Sequence, residues 1–157
     1  DHISNIASPY VKYDQHLFDI IEVLEKNNLS VVPVLDKQKQ YLGVITNRKL
    51  LYTIAKSATI QSIGGVIVLE MDNHDYSLTK IASIVERNNS KILTSYIISK
   101  HNSNNIEVTL KINKQDITNI IKDFERHDYT ICASYKENET DNDFLERYES
   151  LMRFLNP

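Results

Sequence analysis

The sequence predicts two small domains of the α/β (α+β) class, and the order of its apolar patterns is the main reason. The first part is typical of β-α-β-β-α, and the part after Gly64-Gly65 is typical of β-α-β-β-α-β followed by a final helix. An apolar stripe at i, i+3, i+4 and i+7 occurs once before that glycine pair and twice after it. A chain of 157 residues suits two small domains.

The first predicted helix follows a brief strand that includes Tyr10. Asp14 is its expected N-cap. Its apolar stripe consists of Leu17, Ile20, Ile21 and Leu24. The stretch Ser30–Leu51 then predicts two short strands joined by a polar turn, and the start of a second helix. Thr46 or Asn47 is expected to cap that helix, because a short side-chain oxygen accepts an unpaired backbone N–H.

Pro33, in the first of these two strands, indicates a point where one side of the strand has no neighbour. Proline has no N–H to donate to a strand ladder. We expect Pro33, Gly43 and Thr46 to shape a shallow apolar cleft with polar groups at its rim. Arg48 and Lys49 form a cationic rim, which either meets ligand phosphates at the helix start or is the solvated face of an amphipathic helix.

This stretch resembles the CBS family, the cystathionine-β-synthase-type regulatory repeat. The shared pattern is apolar-Pro-Val-apolar-Asp, a polar turn, and Gly-apolar-apolar-Thr-x-x-x-Leu, within a likeness that runs from about Ile3 to Lys56. The resemblance implies a repeat that pairs with another into a disc, whose clefts bind adenosine-containing ligands such as AMP, ATP, NAD or S-adenosylmethionine. Because the chain has one such repeat, we expect its partner in a preceding segment or in another subunit.

The same resemblance implies the nucleotide-binding residues. The family's Thr falls on Thr46, and its ribose-binding Asp falls on Lys49, whose ammonium group accepts no hydrogen bond from a ribose hydroxyl. An adenosine ligand would lie against Tyr10, Val32, Pro33 and Thr46, with Arg48 and Lys49 towards its phosphates. We therefore expect the affinity to depend more on phosphate charge than on the ribose.

The second predicted domain contains four strands and two helices between Gly64 and about Tyr135. In its third strand, apolar residues alternate with Glu107, Thr109 and Lys111, which predicts a half-exposed strand. The element order is that of the ferredoxin-like unit, an antiparallel sheet with two helices on one face. RNA binding is not expected, because the polar face of this strand has no aromatic residue on which a base could stack.

Its position after a CBS-like repeat makes this unit similar to an ACT domain, a small-molecule-sensing module that usually pairs. The resemblance implies an effector loop that contains Asp72, Asp75 and Tyr76. Tyr76 stands where the family has a glycine, and we expect its ring to fill the pocket and to pack on its own helix or on a partner chain. Asp72, His74 and Asp75 are also metal-capable, but we favour a solvated polar turn and assign no metal site.

Composition restricts the function classes further. A net charge of −3 gives no general attraction to nucleic acid or to an anionic membrane. No apolar run approaches the roughly 18 residues of a spanning helix. No Ser or Cys has the context of a nucleophile, so we expect no enzyme, and Cys132 is expected to be a buried small apolar residue. The chain begins with Asp1 and has no signal-peptide pattern, so we expect a cytoplasmic fragment of a longer protein.

We therefore expect a non-catalytic regulatory or sensing protein. Its predicted parts are a CBS-like repeat at 1–56, a linker at 57–63, an ACT-like domain at 64–136 and a C-terminal helix at 142–156. The expected partners are a small-molecule ligand and a second copy in a homodimer, because three apolar surfaces have no partner. No cofactor is expected beyond a bound adenosine ligand such as AMP or ATP. Two alternatives stay open, an oligomerisation module with degenerate ligand sites and amino-acid sensing through the ACT-like domain.

Overall fold

The computed structural model describes residues 9–56, 58–100, 103–136, 151–152 and 155. The chain divides into two compact units, Asp1–Gln61 and Ser62–Pro157. The predicted fold class is confirmed, since a β-α-β-β-α part precedes a ferredoxin-like four-stranded antiparallel sheet with helices. The helix predicted at 142–156 lies outside the described residues, apart from Leu151, Met152 and Leu155. Among the described helices, none is both long and apolar enough to cross a membrane.

The described residues of the first unit form a three-stranded sheet and three helices. Its elements are β1 (Val11–Lys12), α1 (Leu17–Lys26), β2 (Val31–Leu35), β3 (Tyr41–Thr46), α2 (Asn47–Ala55) and α3 (Ala58–Gln61), the last within the predicted linker. Strand β2 lies in the centre, parallel to β1 and antiparallel to β3. The buried core consists of Val11, Ile20, Leu24, Val32 and Leu50. Leu17, Ile20 and Leu24 of the α1 stripe therefore pack in this core as their spacing predicts, whereas Ile21 is 37% exposed.

Helix α1 has a different N-cap from the one that its sequence suggests. His16, rather than Asp14, is the cap, and its Nδ1 accepts a hydrogen bond from the Phe18 N–H at 3.2 Å. The Asp19 carboxylate in turn accepts the His16 N–H at 3.1 Å. This reciprocal pair is a capping box. The prediction of Asp14 was wrong because the choice of cap depends on the acid three residues further on as well as on the cap residue itself.

The second unit contains the ferredoxin-like sheet. Its elements are β4 (Val66–Asp72), a 3₁₀ turn (Asn73–Asp75), α4 (Leu78–Arg87), β5 (Ile92–Ser99), β6 (Asn105–Ile112), α5 (Thr118–Arg126) and β7 (Thr130–Tyr135). The strand order is β5-β6-β4-β7, and all neighbours are antiparallel. The core consists of Ile67, Leu69, Ile81, Ile84, Val85, Ile106, Val108, Leu110, Ile112, Ile117, Ile120 and Phe124. Both helices bury most of their apolar stripe in this core, although Leu78 at the start of α4 is 45% exposed.

Thr109 is more buried than the alternating pattern of β6 suggests, with 9% of its surface exposed. Strand β6 is a central strand, and the register places Thr109 between Tyr96 of β5 and Val68 of β4. These two large neighbours cover the small threonine side chain. The expectation of a half-exposed position was wrong here, because the neighbours of a strand are not visible in its own sequence.

The glycine pair at the start of the second unit is required by close packing. A Cβ atom on Gly64 would lie 1.9 Å from the Ile112 carbonyl oxygen, and one on Gly65 would lie 2.7 Å from Ile117 Cγ2. The Gly65 carbonyl also accepts the Ile112 N–H at 2.9 Å. Glycine at both positions therefore allows the chain to pass close to Ile112 and Ile117 where it enters β4, so the pair is a packing requirement and not a flexible joint.

Candidate functional site

The predicted nucleotide-binding residues of the first unit lie on both faces of its sheet. Val32 is fully buried in the core, whereas the register pairs Pro33 with Val44 and Val31 with Thr46 on the opposite face. Extending the parallel register of β1 and β2 by one residue places Tyr10 beside Pro33. Tyr10, Pro33 and Thr46 therefore share the face that is turned away from the core. Val32 can offer a ligand only its backbone.

Pro33 lies at a gap in the sheet. Among the described residues, β1 pairs with Val34 and Leu35, so the ladder on that side of β2 ends before Pro33. A proline is tolerated in a central strand at such a point, because the hydrogen bond that it cannot donate is not needed there. The gap leaves room beside Pro33 on the face that carries Tyr10 and Thr46.

The start of α2 completes this candidate site and is electropositive. Thr46 is the N-cap, and its Oγ1 accepts the Lys49 N–H at 3.2 Å. The first turn contains no acidic residue, and Arg48 and Lys49 are both exposed there. No ion pair joins either cation to another of the described side chains. Cations oppose the positive end of the helix dipole unless an anion is bound. Two cations and the N–H groups of the first turn therefore form a place that favours an anion.

An aromatic ring follows these cations on the same helix. Tyr52 is 53% exposed, and the Lys49 Nζ and Lys56 Nζ atoms lie 5.8 Å and 4.4 Å from its ring centre. Contacts of this kind are favourable for a cation over an aromatic face. They keep both ammonium groups near α2 without neutralising them.

Comparison with known proteins finds a family to which part of this chain is similar. Residues 3–56 match the family model described as "CBS domain". These residues are similar to a CBS domain. A CBS domain is typically a regulatory module that binds adenosine-containing ligands. The matched residues include every predicted nucleotide-binding residue, from Tyr10 to Lys49.

The other two comparisons add little to this assignment. Among solved structures, the crystal structure of protein BT0572 from Bacteroides thetaiotaomicron is similar to the chain at 16% sequence identity and a TM-score of 0.36, covering 79% of this chain and 87% of that chain. The comparison with curated proteins found no match. The likeness to a known family therefore rests on the CBS match at residues 3–56, and the second unit is described by its topology.

The predicted effector loop of the second unit is held by Asp72. Its Oδ1 accepts the His74 N–H at 2.8 Å, and the Asn104 side-chain amide donates to both carboxylate oxygens at 3.0 Å. These hydrogen bonds, the one from His74 first, hold the pKa of Asp72 below its usual value. Asp75 is exposed, and Tyr76 is half-buried against the core of the unit. The Asp72 carboxylate therefore stabilises the conformation of the loop, whereas the exposed Asp75 carboxylate remains available to a ligand.

A surface cleft of about 870 Å³ lies beside this loop. Asp72 and Asp75 contribute to its acidic side, and Lys80 and Arg87 of α4 provide cations on the same lining. Tyr76 does not line it, because its ring packs on the core instead. The sequence could have indicated that these two cations lie together, because Lys80 and Arg87 are seven residues apart and residues at that spacing lie on one face of a helix.

The outer face of the second sheet holds a polar cluster that sequence patterns did not reveal. Lys100 Nζ lies 2.9 Å from Glu70 Oε2 and 3.4 Å from Glu107 Oε1. Glu70 also accepts hydrogen bonds from Asn105 Nδ2 at 3.0 Å and from Cys132 Sγ at 3.3 Å. Lys100 first, and then Asn105 and Cys132, lower the pKa of Glu70 to about 2. The cluster is internally satisfied, which is typical of a structural role.

Proposed function

We propose that this protein is a non-catalytic regulatory module whose CBS domain binds a phosphate-bearing adenosine ligand. The observation that carries the proposal is the electropositive start of α2, where Arg48 and Lys49 lie next to the Thr46 cap with no acid in the first turn. The family match supports the adenosine part of the ligand. The ligand would act by population shift, since it favours whichever domain arrangement binds it better.

In this proposal, different parts of the ligand contact different residues. Tyr10 and Pro33 provide an apolar surface for a base on the face away from the core. Arg48 and Lys49 provide charge for the phosphates, and Lys49 replaces the carboxylate that would accept hydrogen bonds from a ribose. ATP should therefore bind more tightly than AMP, and AMP more tightly than adenosine. Exposed charges are screened by salt, so ATP binding should weaken as ionic strength rises.

Isothermal titration calorimetry of the full chain with ATP, AMP and adenosine, at low and high salt, tests this order. Lys49→Ala should lower ATP affinity about tenfold, equivalent to 1.4 kcal/mol, and should leave adenosine binding nearly unchanged. The matched control is Lys37→Ala in the β2–β3 turn, which β3 separates from Thr46 by about 20 Å of strand. Equal affinity for ATP and adenosine, or binding that ignores salt, would contradict the proposal. No binding of any of the three would favour a structural module with degenerate sites.

The cleft in the second unit favours a second candidate function, the sensing of a small dipolar ligand such as an amino acid. Asp75 offers a carboxylate for an ammonium group, and Lys80 and Arg87 offer cations for a carboxylate. A volume of about 870 Å³ lies within the range of small-molecule sites. Preferential binding to the folded state would raise the melting temperature in an amino-acid screen. Arg87→Ala should abolish such a shift, whereas Lys122→Ala on α5, which does not line the cleft, should retain it.

A further inference from the structure

The outer face of the second sheet has a largely apolar row of side chains at its centre. Ile67 and Leu69 of β4 lie in the core with both helices, so the alternate residues of the sheet lie on the outer face. The strand register brings four outer residues side by side, one from each strand, and this central row consists of Tyr96, Thr109, Val68 and Ala133. Neighbouring strands lie about 4.8 Å apart, so the central row crosses the sheet over about 14 Å.

The central row is more apolar than a solvated sheet face requires. An antiparallel sheet with one face in water normally alternates apolar residues inside with polar residues outside. Here Tyr96 is 50% exposed, Val68 and Ala133 are half-buried, and Ile98 in the next row is 37% exposed. Within the described part of this unit, α4 and α5 contribute their buried apolar side chains to the core on the other face. The central row therefore has apolar surface that these two helices do not cover.

The C-terminal segment of the same unit has a complementary apolar surface. Leu151, Met152 and Leu155 are helical, and they are 55%, 36% and 59% exposed. In the sequence they continue the apolar stripe that begins at Phe144 and Tyr148, at the spacing of one helix face. Most of the stability of a protein helix comes from packing its apolar face, so this stripe requires a surface to cover it.

The chain beyond β7 is long enough for these two surfaces to meet. Strand β7 ends at Tyr135, which pairs with Val66 in the row next to the central row. The helix predicted at 142–156 would be about 22 Å long, which is more than the width of the four strands. Residues 136–141, between β7 and this helix, span up to about 20 Å when extended. A return of the chain across the outer face is therefore within reach.

Charge also favours this arrangement. Residues 137–157 contain six carboxylate side chains and two arginines. Lys111 lies on the outer face beside Val66, and it forms no ion pair with another of the described residues. An acidic segment that crosses this face gains an attraction to Lys111. The neighbouring Lys100, by contrast, is already paired with two glutamates of the sheet.

We propose that residues 137–157 fold back across the outer face of the sheet of their own chain, with the stripe that contains Leu151 and Leu155 against the central row. Apolar surface would then leave water on both sides of the contact, which stabilises it. The sheet would have α4 and α5 on one face and the C-terminal helix on the other, an arrangement of packed layers that buries both faces. The proposal concerns the second unit alone, so it is independent of nucleotide binding in the first unit.

Alkylation of an introduced thiol in the full chain tests this cover. Cys132 is the only cysteine, so Ala133→Cys in a Cys132→Ser background places a single thiol in the central row. Adding Leu151→Asp and Leu155→Asp should raise its rate of reaction with iodoacetamide about tenfold, because a covered thiol reacts only through the small population that has opened. An equal rate with and without these two aspartates would overturn the proposal.

Two controls separate loss of cover from other effects. Asn142→Asp with Ser150→Asp adds the same charge at positions off the apolar stripe, and it should leave the alkylation rate unchanged. A thiol at Lys122→Cys on α5, which is exposed, should react at the same rate with either pair of aspartates. Circular dichroism should show the same secondary structure in the sheet and in α4 and α5 for every variant, since Leu151 and Leu155 lie outside the buried core.

Fluorescence tests the contact from the side of the helix. The chain contains no tryptophan, so Met152→Trp supplies the only one. Its emission should be blue-shifted and protected from iodide, and Tyr96→Glu in the central row should remove both effects. A tryptophan that iodide quenches freely, or one that does not respond to Tyr96→Glu, would contradict the proposal. Protection that disappears on dilution would show that the segment comes from a second copy, which would overturn its placement on its own chain.

Discussion

Glu70 Oε2 accepts the thiol hydrogen of Cys132 at 3.3 Å, which joins the neighbouring strands β4 and β7 on the outer face of the sheet. Burial first, and then the hydrogen bond and negative charge of Glu70, raise the pKa of Cys132 from 9.0 to about 11. Both effects disfavour the thiolate. Cys132 is therefore held in its protonated, weakly nucleophilic form.

The first prediction concerns the reactivity of this thiol. The rate of iodoacetamide alkylation of the native protein should rise with pH without levelling off near 9, because the thiolate forms only at higher pH. Glu70→Gln should move the pH–rate profile to lower pH, although burial still acts to raise the pKa of the thiol. The urea-unfolded chain is the control, with an ordinary cysteine profile. A native profile that levels off at or below pH 9 would rule out this environment for Cys132.

The second prediction concerns acid stability. Interactions with Lys100, Asn105 and Cys132 lower the pKa of Glu70 from 4.5 to about 2, so the folded state favours its carboxylate. The resulting stability is present above pH 4.5 and is lost as pH falls towards 2. Glu70→Gln should therefore lower the free energy of unfolding at pH 6 and flatten its decline between pH 4.5 and 2.5, measured by urea titration. Glu125→Gln, at an exposed helical position, should leave that decline as steep as in the wild type.

The sequence predicted those features that depend on the periodicity of single elements. The stripes of α1, α4 and α5 bury Leu24, Val85 and Phe124 as expected, and the strand order follows from the ferredoxin-like pattern. The sequence-based predictions failed where the environment of a residue depends on a partner that is distant in the chain. The burial of Thr109 depends on β4 and β5, and the low pKa of Glu70 depends on Lys100.

The candidate site shows the same difference between local features, which could be predicted, and features that depend on distant residues. The Thr46 cap and the cations after it are local features, so they could be predicted from the sequence. The face on which each residue lies depends on the register between strands, which is why Val32 was grouped with Pro33 although its side chain is in the core. A period-two pattern defines the two faces of a strand but does not say which face meets a ligand.

The third prediction concerns Tyr76, whose half-buried ring packs on the core of the second unit. Tyr76→Ala should lower the free energy of unfolding by about 2 kcal/mol, less than the loss for a fully buried aromatic because part of the ring remains in water. Chemical denaturation followed by circular dichroism measures this change. Tyr13→Ala, which removes a ring that is 52% exposed, should cost much less. Equal losses in the two variants would show that the Tyr76 ring contributes no packing.

The last prediction concerns position 49, where the CBS resemblance implies a ribose-binding carboxylate and this chain has Lys49. Lys49→Asp supplies an acceptor for ribose hydroxyls, and hydrogen bonds to a charged group contribute about 1.5–3 kcal/mol. Adenosine affinity should therefore rise at least tenfold, while the salt dependence of ATP binding should fall because one phosphate-facing cation is lost. Lys49→Ala is the control that removes the cation without adding an acceptor.

Stability must be separated from affinity in this experiment. An acid three residues after the Thr46 cap can complete a capping box, so Lys49→Asp should also stabilise α2 by a few tenths of a kcal/mol. A thermal shift would mix that gain with ligand binding, whereas calorimetry measures affinity directly. If Lys49→Asp and Lys49→Ala bind adenosine equally, the ribose does not approach the start of α2. The ligand would then have to lie elsewhere on the sheet face that carries Tyr10 and Pro33.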